Sequence, residues 1–573
     1  MRKLALILAL VSLTACAAQT SNTLFTPGQP ITKGEGKGAL LFSMETKINP
    51  GALVPGQSSR IELSLPEKTI QLILKPVSDE SLALPEGQHA WVANTHNAFF
   101  MRIGEMIEGR LQLGDKYYRL RSKTPEIGVL DVFDARRFRE PPNDDVRIAP
   151  KAVGQSDVSG DSSCEDAADR VDVMVLYTPA ARDGAGGVAQ IQNEIAFDVG
   201  YNNLALANSS AAHRLNLIHT DVVSYTEPAG GVDSNALLGD LADTSDGVMD
   251  PIHSVRDSVR ADLVSLIFEK DNSTDNWCGW GHAMDTANAD TTDHAAFTVV
   301  RRECAGTNLS FAHEVGHNMG ARHDRANTNP ADSDHDYNFG HIQPTPSTAG
   351  VDPWRTVMAY GSPCSDSSAT GRCQRVPWFS NPNVSRSGDA TGVALTETEP
   401  EHNVAVFALN DGAVSRYRCL HSGAAANVWM KDRWEDTGGE PDANTIGKAM
   451  WQSPYIWVRL SEDATFEHAH EHQDPQQAHT NHVYVKLHNS GGVNESSDLE
   501  LYFASASTSL NNPTNWTLID TQALTISPGV EVAHFEWTDP PGSGHYCLLA
   551  RWNIDATPLS FTDVGDAVRA DND

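Results

Sequence analysis

Alternation between apolar and polar residues is the dominant pattern in the first quarter of the chain. Between residues 40 and 150 it recurs in short segments separated by glycine and proline, which predicts a small β domain. The clearest segments are 60–65, 69–74, 98–103, 106–113 and 117–120. Residues 16–39 lack this alternation, and their proline, glycine, threonine and lysine content predicts a tether.

The pattern changes after residue 165, where buried-strand runs alternate with stretches of helical periodicity, so that an α/β domain with a mixed sheet is expected over 165–420. Strands are predicted at 171–177, 214–225, 261–268 and 296–300, the last at a sheet edge, and helices at 188–207, 252–260, 308–319 and 403–417. Aromatic strands between turn-rich segments predict an antiparallel β-sandwich over 425–555, and an acidic tail follows at 556–573.

Candidate chemistry is concentrated in one segment of the second domain. His313 and His317 are four residues apart, so their rings lie on one face of a helix and can reach one metal. Glu314 is rotated off that pair, in the place of a general base for a metal-held water. Gly320 can take a left-handed conformation that turns the chain back and returns His323 as a third ligand. The segment therefore predicts a hydrolytic zinc site.

A methionine turn follows, with Met358 lying 35 residues after His323. Three histidines in this spacing and a downstream methionine form the metzincin signature, and the segment resembles metzincin zinc endopeptidases. Asp324, directly after the third histidine, resembles the reprolysin (adamalysin) branch. Tyr360, two residues beyond the methionine, resembles astacins and serralysins instead. Bacterial reprolysin-type secreted proteases are the most similar group overall.

The resemblance implies an endopeptidase with one catalytic Zn²⁺ that acts on protein or peptide substrates. It implies that Met358 forms an apolar floor beneath the metal, and that Tyr360 is a movable fifth ligand that stabilises the transition state. The preceding β domain resembles a reprolysin-type propeptide that blocks the cleft, with an independent β module as the alternative. Structural Ca²⁺ of reprolysin type stays open, without identifiable ligands. Residues 136–161, charged and proline-rich, are predicted to be an exposed, cleavable processing linker.

Length and charge exclude other classes of function. At 573 residues the chain exceeds one ordinary core, so several folded units are expected. A formal net charge of −33 disfavours a phosphate backbone or an anionic membrane surface as a partner, so no nucleic acid binding is expected. The oligomeric state is left open.

The N-terminus predicts an export signal over residues 1–15. Basic residues precede the apolar run Leu4–Leu13, which is too short to span a bilayer. The four residues that end at Cys16 resemble the bacterial lipobox, in which the cysteine is lipidated and anchors the mature protein to the outer membrane. Plain secretion, with cleavage near Ala17 or Ala18, is the alternative.

Disulfides can persist in an exported chain, and two local pairs are the most economical. These are Cys278 with Cys304 and Cys364 with Cys373, both inside the protease region.

Three further cysteines leave an ambiguity. If Cys164 pairs with Cys419, the bond joins the two ends of the protease domain and leaves Cys547 as a thiol. If Cys419 pairs with Cys547 instead, the thiolate of Cys164 could occupy the open zinc position as a zymogen switch.

Two other clusters contain residues that could bind a metal, but each is predicted to be a solvated loop without one. The loop Asp332–Asp336 lacks EF-hand spacing and is predicted to be a solvated acidic loop. His468, His470 and His472 alternate with acidic residues and are predicted to lie in a solvated connector. The main expectation is thus a zinc endopeptidase. The alternative is a surface adhesin that acts mainly through its C-terminal sandwich.

Overall fold

The computed structural model describes most of the chain, in stretches separated by gaps. The described residues are 22–33, 38–85, 87–93, 95–139, 141, 146–147, 169–272, 277–284, 292–328, 335–361, 364, 373–418, 428–430, 453, 455–462, 473–489, 493–505, 516–527, 529–538, 540–543 and 545–553. Within these stretches, no helix combines the length and apolar character needed to cross a membrane. The signal and lipobox residues, the histidine-rich connector and the acidic tail lie outside them.

The N-terminal region is a closed β-barrel. Its nine strands are β1 (Asn22–Lys33), β2 (Leu40–Ile48), β3 (Ser59–Ser64), β4 (Thr69–Val77), β5 (Gln88–Ala93), β6 (Ala98–Ile103), β7 (Met106–Leu113), β8 (Lys116–Thr124) and β9 (Ile127–Asp134). The barrel closes where β1 pairs in parallel with β3, and β1 pairs antiparallel with β2. The small β domain predicted from the alternation is therefore a barrel.

The predicted tether is wrong for residues 22–33, because they form β1. Register shifts interrupt the pairing of β1 with β2 near Pro27 and Pro30. Such bulges interrupt the alternation of apolar and polar residues by which a strand is predicted from sequence, although the backbone of the strand still pairs. Leu24 and Phe25 are buried in the barrel core, which fixes the strand in place.

The second domain is built on a six-stranded sheet in the order β10-β14-β15-β13-β11-β12. Its elements are β10 (Val146–Arg147), β11 (Arg170–Tyr177), α1 (Pro179–Ala185), α2 (Val188–Asn208), β12 (Arg214–Val222), α3 (Ser234–Ala242), α4 (Pro251–Val259), β13 (Leu263–Phe268), β14 (Gly279–His282), β15 (Phe297–Arg301) and α5 (Ser310–Asn318). Only β14 and β15 pair antiparallel, so the sheet is mixed, as predicted.

One strand position was predicted wrongly. The segment 296–300 was expected at the sheet edge, but β15 lies between β13 and β14. The strand beyond it, β14, contains two glycines, a tryptophan and a histidine, so it carries no apolar alternation that would reveal it. The pattern therefore cannot detect β14, whose outer side pairs only with the two-residue strand β10 from the linker.

The domain core lies on both faces of the sheet. Along β13, Leu263 and Ile267 face the cluster that contains α2 and α5, whereas Val264 and Leu266 face the cluster of α3 and α4. This alternation is what a strand covered by helices on both faces requires. Each of the four predicted helices is observed, with ends displaced by a few residues.

Beyond α5 the chain is rich in loops. The elements there are β16 (Ile342–Gln343), β17 (Trp354–Arg355), β18 (Gln374–Arg375), β19 (Ser385–Arg386), β20 (Asp389–Ala390) and α6 (Asn403–Val414). The strands β16, β17 and β18 form one small sheet beside α5. The helix α6 closes the domain and buries Val406 and Phe407 in the cluster shared with α2.

The C-terminal region contains two antiparallel sheets. Its strands are β21 (Val428–Trp429), β22 (Ile456–Arg459), β23 (Asn481–Asn489), β24 (Glu495–Ser505), β25 (Thr517–Ile526), β26 (Gly529–Trp537) and β27 (Tyr546–Asn553). One sheet contains β21, β22, β23 and β26, and the other contains β24, β25 and β27. Val483, Leu501 and Trp552 belong to one apolar cluster between them. A complete sandwich stays a prediction.

Candidate metal centre and active-site cleft

The candidate ligands are positioned by the short helix α5. Leu309 precedes it in a left-handed conformation, with φ 59°, and the helix ends at Asn318. The side chain of Asn318 donates hydrogen bonds to the carbonyls of His282 (2.8 Å) and Ala295 (2.9 Å), which ties the helix end to the sheet. Gly320 then takes the predicted left-handed conformation, with φ 96°. The chain turns back there, as the spacing of the histidines requires.

Three buried imidazoles converge at this turn. His313, His317 and His323 each offer one ligand atom within 4.8 Å of the others, and this is the cluster of metal-ligating groups found among the described residues. The ring centroids of His313 and His317 are 4.9 Å apart, and those of His317 and His323 are 4.7 Å apart. Two histidines therefore come from one helix face and the third from the loop that follows.

The Nδ1 atoms of two of these rings face backbone carbonyl oxygens. Nδ1 of His313 lies 3.0 Å from the carbonyl oxygen of Val357, and Nδ1 of His317 lies 2.9 Å from that of Ala321. A carbonyl accepts hydrogen bonds only, so each Nδ1 carries the proton and each Nε2 keeps its lone pair. This is the tautomer that a metal-binding histidine needs.

The donor set fits zinc. Nε2 of His317 and Nε2 of His323 are 3.0 Å apart. Two lone pairs at that distance repel each other unless a cation or a proton lies between them. Three neutral imidazoles with an open fourth position are a common ligand set of catalytic zinc. A buried site without a carboxylate ligand favours zinc over calcium or magnesium, which prefer oxygen.

The side chain of Glu314 lies between α5 and strand β14. It is buried. A Cβ atom added to Gly279 would lie 2.8 Å from Oε1 of Glu314, and one added to Gly281 would lie 2.8 Å from its backbone oxygen. The two glycines thus allow β14 to approach α5 closely, and the carboxylate lies against the strand. Sequence reasoning identified Glu314 but missed both glycines.

Met358 packs beneath helix α5. It is fully buried, and a Cβ atom added to Gly316 would lie 2.5 Å from its Sδ atom. Gly316 sits in the helix between the two ligand histidines, so the thioether contacts the helix backbone directly below them. The contact depends on a glycine at this one position of the helix.

The ring of Tyr360 lies close to two of the three histidines. Its ring lies 4.2 Å from the ring of His323 and 5.9 Å from that of His313, measured between centroids. Its backbone N–H donates to Oδ2 of Asp324 at 2.9 Å, and its hydroxyl donates to the carbonyl of Pro141 at 3.0 Å. The methionine turn is therefore tied to the third histidine through Asp324.

The predicted linker runs beside β14 where it is described. The carbonyl of Arg139 accepts a hydrogen bond from Cys278 N at 3.0 Å, and β10 pairs in parallel with β14, placing Val146 opposite Gly281. Phe138 and Pro141 are buried. The expectation of an exposed linker is therefore wrong for Phe138 and Pro141, whereas Arg136, Arg137 and Arg139 are exposed. Residues 148–161 lie outside the described residues.

Both predicted local disulfides are confirmed. The Cα atoms are 5.4 Å apart in Cys278–Cys304 and also in Cys364–Cys373. The first bond joins the segment before β14 to the turn after β15.

The remaining cysteines are only partly described. Cys547 is a free, partly buried thiol, which rules out its pairing with Cys419. Burial raises the pKa of this thiol. Cys16, Cys164 and Cys419 lie outside the described residues, and so do Asp332 and its neighbours in the predicted acidic loop.

Known proteins resemble this arrangement. A family model described as Reprolysin_5, metallo-peptidase family M12, matches residues 167–370, which include the zinc helix and the methionine turn. The chain is a metzincin-like zinc metallopeptidase.

Three bacterial relatives of this metallopeptidase share the name peptidyl-Asp metalloendopeptidase. One from Stenotrophomonas maltophilia is 31% identical over 300 residues, covering 52% of this chain and 66% of the relative. One from Xanthomonas campestris pv. campestris is 28% identical over 372 residues, covering 61% of this chain and 80% of the relative. A second strain of S. maltophilia has one that is 27% identical over 418 residues, covering 67% and 92% respectively.

Proposed function

We propose that this metallopeptidase is a zinc endopeptidase that is exported as a zymogen-like precursor. The observation that supports the activity is the convergence of three buried imidazoles beside Glu314. The observation that supports the precursor state is the linker on the edge strand beside them.

The chemistry divides between the metal and one carboxylate. Zinc held by His313, His317 and His323 would polarise the scissile carbonyl and lower the pKa of a bound water toward about 7. Glu314 takes the proton of the attacking water as general base and passes it to the leaving amine. The carboxylate is buried, and a water-poor site strengthens its interaction with developing positive charge on that amine.

The edge of β14 is the proposed binding place of the substrate backbone. An extended peptide can add to an exposed sheet edge through main-chain hydrogen bonds. In the uncut chain, Val146 and Arg147 pair with this edge, and the carbonyl of Pro141 accepts from the Tyr360 hydroxyl. Substrate and linker would compete for one strand position. Cutting and removing the linker would free the edge and the hydroxyl together.

Tyr360 is proposed to stabilise the transition state once its hydroxyl is released. The hydroxyl points at a carbonyl of the linker, so its donor direction already suits an oxygen in the cleft. An oxygen that gains negative charge in the transition state would take the place of the Pro141 carbonyl.

The proposed substrates are peptides with aspartate at the scissile bond. The name of the three relatives supports this class. So does the local charge, because Arg355 and Arg375 are neighbours on adjacent strands beside the site. Nη2 of Arg375 lies 3.5 Å from Nδ1 of His313, and a guanidinium of Arg355 donates to the carbonyl of Ala359. Two buried positive charges near the ligand set favour an acidic side chain.

A peptide-cleavage assay tests the activity and the preference together. Matched peptides that differ only in Asp, Asn or Glu at one position are incubated with linker-cut enzyme, and products are identified by mass spectrometry. We expect cleavage beside Asp, and none with Glu314→Gln, whose zinc content should stay at one ion per chain. Full activity in Glu314→Gln contradicts the mechanism, and equal cleavage of the Asn peptide contradicts the preference. An adhesin would cleave none of them.

Export and lipidation form the last part of the proposal. Labelling with a palmitate analogue in bacteria should mark the wild-type chain and not Cys16→Ser. An unlabelled wild-type chain in the culture medium would support plain secretion instead.

A further inference from the structure

Helix α2 has no solvent-exposed face along its central turns. Every residue from 194 to 206 is buried. A helix on the surface of a domain keeps a polar face toward water, whereas one buried all round is covered on every side. One side of α2 packs on β12 and α5, and the other packs on β6, β7 and β8 of the barrel. The barrel therefore completes the burial of a helix that supports the zinc helix.

Apolar side chains of the barrel are part of the protease core. The ring of Phe99 lies 5.0 Å from that of Tyr201, stacked on it, and 5.2 Å from that of Phe197. Met101 fits over Gly200, where an added Cβ atom would lie 2.5 Å from the Met101 Sδ atom. Phe99 and Met101 belong to the same apolar cluster as the sheet strands and the zinc helix.

Buried charges cross the same interface. Arg110, fully buried in β7, donates to the carbonyl of Thr307 at 3.0 Å and to the hydroxyl of Tyr201 at 2.9 Å. Thr307 lies three residues before α5. Glu194 of α2 is paired with Arg121 of the barrel at 2.9 Å and with Arg302 of the protease at 3.2 Å. Removing the barrel would take one cation away from a buried carboxylate and expose three aromatic rings, both of which are unfavourable.

We propose that the barrel remains bound to α2 after the linker is cut, so that the active enzyme is a noncovalent complex of barrel and protease. The surface is the outer face of α2, and its partner is the barrel of the same chain. Inhibition then comes from the linker on β14 and at Tyr360, not from the barrel. Only the activation cut in this inference rests on the proposed function.

A controlled cut tests the inference without relying on peptidase activity. Sites for a specific protease are placed at residue 140 and within residues 148–161 of the full chain, so that the two cuts release Pro141 and β10. The purified protein is cut, and the barrel and protease fragments are passed over a sizing column. Both fragments should elute together and separate only in denaturant. A separate barrel peak, beside a protease fragment that keeps its melting temperature, would overturn the proposal. Failure of the proposed function would appear as an inactive complex that still elutes as one peak.

Gly200→Leu probes the contact from the protease side. Its added side chain would meet Met101 and Leu84, both in the barrel region. We expect dissociation of the cut complex to increase by roughly 10- to 100-fold, the range that overpacking a buried contact produces. Gly239→Leu is the matched control, because a Cβ atom at this helical glycine of α3 meets nothing within 4 Å. Met101→Ala should restore association in Gly200→Leu. Unchanged association in Gly200→Leu, or no rescue, would contradict the interface.

Discussion

Asp324 and Tyr360 are joined across 36 residues of chain by a hydrogen bond from the tyrosine backbone N–H to Oδ2 of the aspartate, at 2.9 Å. The other carboxylate oxygen accepts from Ala326 N at 3.1 Å. Asp324 follows the third histidine directly, so one side chain holds the methionine turn against the loop that carries His323. We expect the aspartate to be a positioning residue, since its carboxylate accepts from the backbone of Tyr360 and Ala326 and from the side chain of Asn327.

Replacing Asp324 by alanine should lower kcat/KM by roughly 10- to 100-fold, because hydrogen bonds to a charged group contribute about 1.5 to 3 kcal/mol. Asp324→Asn keeps one acceptor and should lose less. Peptide cleavage and zinc content are the measurements, and Asp336→Ala, which changes an exposed aspartate, is the control. Equal losses in Asp324→Ala and Asp336→Ala would argue against the positioning role.

Gly279→Ala should impair catalysis and also lower stability, because the added Cβ atom would lie 2.9 Å from the backbone oxygen of Val299. The added methyl group would lie 2.8 Å from Oε1 of Glu314, and a shift of the general base by a fraction of an ångström is expected to cost about tenfold or more in kcat. Steady-state kinetics and thermal melting separate the two effects. Gly230→Ala is the control, because a Cβ atom there meets nothing within 4 Å. An unchanged kcat in Gly279→Ala would show that Glu314 does not need this close approach.

Removing zinc should destabilise the protease domain as well as stop cleavage. A ligand that binds only the folded state, at a free concentration 1,000 times its Kd, stabilises that state by about 4 kcal/mol. A chelator should therefore lower the melting temperature of the wild type, and added zinc should restore it. His317→Ala, which loses a buried ligand candidate, should show little further response to chelator. If the chelator leaves the melting temperature of the wild type unchanged, the protein does not hold a tightly bound metal.

Glu108 should make stability depend on pH. Burial raises the pKa of this carboxyl to about 7 from the ordinary 4.5, although Arg119 opposes the rise; Glu194 adds to it and Arg121 opposes it. Between these two pH values the folded protein keeps a proton that the unfolded chain releases. Stability therefore falls as pH rises through this window, by up to about 3 kcal/mol for one group.

Glu108→Gln removes this titration. The melting temperature of the variant relative to the wild type should rise between pH 5 and pH 8, whatever offset the lost Arg119 ion pair causes. Glu62→Gln, on the barrel strand β3, is the control. A difference that stays constant with pH would show that Glu108 is ionised throughout.

The pKa of Glu194 is shifted in the opposite direction. Burial alone would raise this pKa, but Arg302, Arg121 and Arg119 lower it. Its contribution is lost only in acid, as pH falls below the ordinary value.

Local spacing was sufficient where one helix carries the information. His313 and His317 share a face of α5 because a helix turns every 3.6 residues, and Gly320 takes the left-handed turn that its lack of a side chain allows. The same reasoning failed for β1 and for β14. Bulges disturb the period of β1, and glycines replace apolar residues in β14. Both strands form because their backbones pair with adjacent strands of the sheet.

By itself, the sequence determined which histidines converge, which carboxylate lies beside them and how strands alternate with helices, because each depends on local spacing along the chain. Tertiary structure alone decided that Asp324 holds Tyr360, that linker residues lie on β14, and that the barrel covers α2. These contacts join segments 36 to about 140 residues apart. No local periodicity encodes such a pairing; it follows from which buried surfaces and hydrogen-bonding groups the folded chain brings together.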